Sequence, residues 1–86
     1  MKVIHLQNLD KKDIPLHYRN EFSGEAILSA MGKEVEKKIE FVIERMPTGQ
    51  KEITVKILEG LDYPIAPVIK NLKEHIDQLD RDGKLP

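Results

Sequence analysis

The chain has no cysteine and no tryptophan, and its aromatics are two Phe and two Tyr among 86 residues. Without cysteine there are no disulfides, no thiolate chemistry and no cysteine-ligated zinc. No apolar run approaches the roughly 18 residues a membrane span needs. The N-terminus, Met1 to Leu6, is shorter in apolar residues than the roughly 7–15 of a signal peptide, so the expectation is a cytoplasmic protein with no membrane role. A large excess of one charge is also missing. Fourteen Lys and Arg face 15 Asp and Glu, for a net charge of −1. Such a balance exerts no long-range pull on nucleic acid or on anionic lipid.

What is present is a globular composition, 40% hydrophobic and 34% charged. A chain of this length makes one domain with a thin core, a single sheet with something packed on it. The clearest pattern lies between residues 21 and 58. Phe22, Gly24, Ala26, Leu28 and Ala30 alternate with Glu21, Ser23, Glu25, Ile27 and Ser29. Lys37, Ile39, Phe41 and Ile43 alternate with Lys38, Glu40, Val42 and Glu44, and Ile53, Val55 and Ile57 with Glu52, Thr54 and Lys56. Period 2 with one apolar face marks half-buried antiparallel strands. Met31-Gly32-Lys33 supplies a glycine able to take positive φ. Pro47-Thr48-Gly49 places Pro early and Gly late, as a type I turn with a left-handed exit requires.

Gly60, Leu61 and Asp62 end this run, and a helix over 66–82 follows. Val68, Ile69, Leu72, Ile76 and Leu79 recur at helical spacing. Pro67 is expected at the first helical position and Gly83 just past the end. The fold class is therefore α+β in one domain over 1–86: an antiparallel β-meander over 21–58 packed on one C-terminal helix. Residues 1–20 read as a short strand, Val3–Leu6, able to act as a fourth, followed by an arm over 7–20 with no clean period. Gly24, Ala26 and Ala30 are small, which would let the helix approach that strand closely.

Tests for chemistry return little. Asp80-Arg81-Asp82-Gly83 has the middle of a calcium loop, but Gln78 stands where its first Asp belongs, and the terminal Glu has no counterpart. Gly32-Lys33 has the end of a phosphate loop, but Ile27 and Glu34 stand where Gly and Ser or Thr are needed. His5, His17 and His75 have no metal-pair spacing. Ser23 and Ser29 sit in no nucleophile elbow. Glu25, Glu40, Glu44 and Glu52 on the outer face are better accounted for by ion pairing with Lys38 and Lys56 than by acid–base work. No catalytic residue, cofactor or metal ligand is assigned.

Two features stand out. Ile27 and Val42 fall on the face that should be wet, where they could be neighbours across the first hairpin and be covered either by the arm or by another chain. His17, Tyr18 and Arg19 concentrate hydrogen-bonding and stacking groups on the arm; they serve either as a partner site or as a tether. The reading is a non-enzymatic protein-interaction or regulatory domain, with a protein partner or a second copy of itself, through these five residues or through a free sheet edge. The alternative is a nucleic-acid-binding accessory domain. It is disfavoured because Phe22 and Phe41 face inward and the outer face is acidic.

Overall fold

In the computed structural model the described residues are 2–60 and 64–86; the break at Leu61 and Asp62 lies outside them. The chain forms β1 (Lys2–Lys11), β2 (Arg19–Ala30), β3 (Lys33–Arg45), β4 (Lys51–Ile57) and α1 (Ile65–Arg81). All neighbouring strands are antiparallel, in the order β1-β2-β3-β4, a four-stranded meander. The α+β architecture is the expected one, with β1 as a full member of the sheet.

The period-2 residues of β2 and β3 pair in continuous register from Arg19↔Glu44 to Ala30↔Lys33. This places Phe22 against Phe41, with ring centroids 4.8 Å apart and planes 17° apart. Phe22, Ala26, Leu28, Ile39, Phe41 and Ile43 of the sheet, with Val68, Leu72 and Ile76 of the helix, form the core. Burying a side chain of this size contributes about 1.5–3 kcal/mol each.

β1 departs from expectation in length: it continues through residues assigned to the arm. Its register with β2 slips between Val3 and His5, and again between Gln7 and Asp10. Each slip inserts one extra residue, so Val3, Leu6 and Leu9 all reach the core face, three positions apart. At the second bulge Asn8 takes φ 52°, and Leu9 lies over Gly24. A Cβ on Gly24 would stand 2.5 Å from Leu9 Cδ2 and 3.1 Å from the Gln7 carbonyl oxygen. The small residue on β2 therefore makes room for its neighbouring strand, not for the helix. The helix backbone comes close to β1 and β4 alone, the two edges of the sheet. Large side chains on β2 and β3 hold it off the middle, and the sheet curls around it.

The helix begins at Ile65, with Pro64 at its cap, and ends at Arg81. Pro67 thus sits two residues later than expected, still within the first turn, where backbone N–H groups lack intrahelical acceptors and proline removes nothing. At the far end Gly83 takes φ 67°. Its N–H donates to the Asp80 carbonyl and that of Lys84 to the Leu79 carbonyl, the paired bonds of a Schellman cap.

Candidate interaction surfaces

The five residues singled out by sequence fall in three places. His17 is exposed on the connection between β1 and β2, beside a polar depression of about 500 Å³ lined by Lys12, Asp13, Ile14 and Asn20 among others. Tyr18, 55% exposed, turns instead toward the β3–β4 hairpin. With Arg45, Met46 and Pro47 it walls a largely apolar cleft of about 410 Å³. Its backbone is fixed there, because the Arg45 N–H donates to the Tyr18 carbonyl at 2.8 Å.

Arg19 points to the outer face, where its guanidinium donates to Glu21 Oε2 at 3.1 Å and to Glu44 Oε1 at 2.9 Å. That side chain is tied to its own sheet. For Arg19, the tether is the role the contacts support.

Ile27 and Val42 are not neighbours. Ile27 pairs with Glu36 and Val42 with Glu21, six residues further along β2. At about 3.3 Å per residue this separates them by about 20 Å. Ile27 is 8% exposed. It lies between His5 of β1 and Glu36 of β3, so the lengthened first strand supplies the cover expected of the arm. Val42 is half-buried between Glu21 and Thr54. Ion pairs flank it, Arg19 with Glu21 and Glu44 on one side and Lys12 with Glu40 on the other. A single apolar outer patch therefore does not form. The arm leaves Leu16 exposed at 41%.

The rest of the outer face is polar. The Glu25 and Glu36 carboxyls interact diagonally across β2 and β3. The hydrogen bond between them holds Glu36 above, and Glu25 below, their ordinary 4.5, with Asn8 and Gln7 also donating to Glu25. Among the described residues no three His, Asp or Glu converge as metal ligands would. None of the described helices is long and apolar enough to cross a membrane.

The sheet edges differ. β1 carries two bulges, which twist an edge away from further pairing. β4 carries none: its register with β3 is unbroken from Ile57 to Lys51. The Leu58 N–H donates to the Lys38 carbonyl, and the Met46 N–H to the Gln50 carbonyl. Antiparallel pairing alternates, so the even-numbered residues of β4 spend their backbone bonds on β3. The N–H and C=O groups of Lys51, Ile53, Val55 and Ile57 point away from the sheet. The side chains of Ile53, Val55 and Ile57 face the core yet are only half-buried, whereas their partners Ile43, Phe41 and Ile39 are fully covered. Sequence reasoning named a free edge but not which one, because the bulges of β1 break the alternation that would have marked it as long.

The fold and these surfaces define a small sheet-and-helix α+β domain with an open edge and one apolar cleft. The chain belongs to the BB_0187 family, whose model matches residues 1–81. No curated protein and no solved structure matches it.

Proposed function

We propose that this chain is a non-enzymatic protein-interaction domain that works by strand addition at β4. The supporting observation is the contrast between its edges: β1 is bulged and β4 is flat, unpaired and lined by half-covered apolar side chains. An extended segment laid along β4 gains backbone hydrogen bonds and covers Ile53 and Val55, the mode by which sheet edges recruit strands. The acidic outer face and inward Phe22 and Phe41 argue against nucleic acid as the partner.

Val55→Pro tests this. The Val55 N–H points outward, so proline there removes no bond to β3 but blocks pairing along the edge. Wild-type protein, cross-linked in its native cells, is expected to give adducts that Val55→Pro lacks, with the variant's unfolding transition confirming that it folds. Adducts unchanged in a folded Val55→Pro, or none in the wild type, refute the proposal.

A further inference from the structure

Building on that reading, we infer that the strand β4 accepts is β4 of a second copy, antiparallel, on a two-fold axis through Thr54. Backbone geometry restricts the choices. Only odd-numbered residues of β4 present free N–H and C=O groups, so odd must face odd across the new pair. An axis through Thr54 satisfies this and overlaps Lys51–Ile57 over its whole length. Ile53 then faces Val55 of the second copy, and Lys51 faces Ile57.

Charge selects the same register. With the axis on Thr54, Glu52 of each copy lies opposite Lys56 of the other, on the outer face. Moving the axis one residue, to Ile53 or Val55, sets Thr54 opposite Glu52 or Lys56 and loses both charge pairs. Moving it two residues, to Glu52 or Lys56, sets like charge on like, which is destabilising. Within one chain these two side chains are not otherwise engaged. Glu52 stands beside Glu44, which is taken by Arg19, and Lys56 beside Glu40, which is taken by Lys12. Among the described residues neither Glu52 nor Lys56 is in an ion pair.

The core face agrees. Residues opposite each other across the axis share a face, so both helices lie on the same side of one continuous eight-stranded sheet. Ile53 and Val55 of each copy, half-covered alone, cover one another beneath the helices. The pattern Lys51-Glu52-Ile53-Thr54-Val55-Lys56-Ile57 is self-complementary about its centre in charge, in apolar residues and in backbone bonding.

Charge reversal provides the test. Glu52→Lys carries positive charge at both positions and Lys56→Glu negative charge at both, so neither variant pairs with itself. Mixed, each supplies what the other needs. Sedimentation from about 1 µM to about 1 mM spans the range a small interface occupies. The wild type is expected to rise with concentration from 9.9 kDa to twice that mass. Each single variant should stay at monomer mass, the equimolar mixture should recover the dimer, and the double variant should dimerise like the wild type. Circular dichroism on each variant separates lost pairing from lost folding. A wild type that stays monomeric, or folded single variants that dimerise as well as the wild type, overturns the second copy as occupant. If Val55→Pro still abolishes cross-links to a different chain, strand addition stands while this inference fails.

Discussion

Met31 sits at the tip of the β2–β3 hairpin, 90% exposed, with φ 52°. Gly32 beside it has φ 77°. Two successive positive values make a type I′ turn, whose twist matches that of the flanking strands. Glycine takes the left-handed region freely, but an unbranched apolar side chain gains nothing there to offset its steric penalty. Asparagine tolerates the same φ and precedes glycine in the commonest turns of this kind. Met31→Asn is therefore expected to stabilise the domain by about 0.5–1 kcal/mol, seen as a higher urea midpoint with unchanged slope. The turn itself was legible in Gly32. The left-handed Met31 was not, because nothing in its chemistry asks for that conformation; the two-residue loop length imposes it.

At the scale of elements, the helix is fastened chiefly at its C-terminal half. Lys51 at the start of β4 donates to Asp80 Oδ2 at 2.9 Å and contacts Asp77 as well. Arg45 at the end of β3 donates to Asp80 Oδ1 at 2.8 Å. Burial disfavours the Asp80 carboxylate, but the bonds from Lys51 and Arg45 outweigh it and hold its pKa below the ordinary 3.8. The bond to Asp77 raises Lys51 above its ordinary 10.5. A depressed acid contributes stability that is full above its unfolded pKa and is lost as pH falls through the folded one. A raised base contributes below its unfolded pKa and loses that contribution as pH climbs through its folded one. The clasp therefore operates at full strength between these limits. Asp80→Asn keeps the shape and removes the charge. Urea unfolding at pH 7 is expected to show a loss of about 1–2 kcal/mol, since Asp80 is 17% exposed and screened little. That gap should close below pH 3.8, where the wild type surrenders the same contribution. An equal gap at pH 7 and pH 2 would disprove the electrostatic account.

The opposite side of the helix meets β1 through a different chemistry. His75 lies against Val3 and Lys2 near the edge, and burial, then the nearby His5, lowers its pKa below 6.5. Of these elements, strands β2 to β4 and the helix were readable because Phe22, Phe41, Val55 and Leu72 each keep the period of their own backbone. β1 was readable only as far as Leu6. Val3, Leu6 and Leu9 share a face at a spacing of three, which belongs to neither a regular strand nor a helix. Bulges at Ile4 and Asn8 create that spacing, and Gly24 opposite the second bulge makes sense only once Leu9 is placed over it. The contact between Arg45, Lys51 and Asp80 was equally hidden, since it joins three elements distant in the chain.

For the whole molecule, shape converts the choice of interface into a measurable length. The chain has a Cα radius of gyration of 13.1 Å and extents of 41 × 23 × 23 Å, its long axis following the strands. Pairing through β4 sets two copies side by side, their centres about four strand spacings, or about 19 Å, apart. Adding half that separation in quadrature to 13.1 Å gives a dimer radius of about 16 Å. Association through the Tyr18 cleft or the Met31 tip would instead join the molecules end to end. With centres about 41 Å apart, the radius would be about 24 Å. Small-angle scattering over a concentration series is expected to show the radius growing from the monomer value toward about 16 Å. Growth toward about 24 Å would transfer the interface from the sheet edge to an end of the molecule. The self-complementary order of charges along β4 would then be a feature of a solvated strand alone.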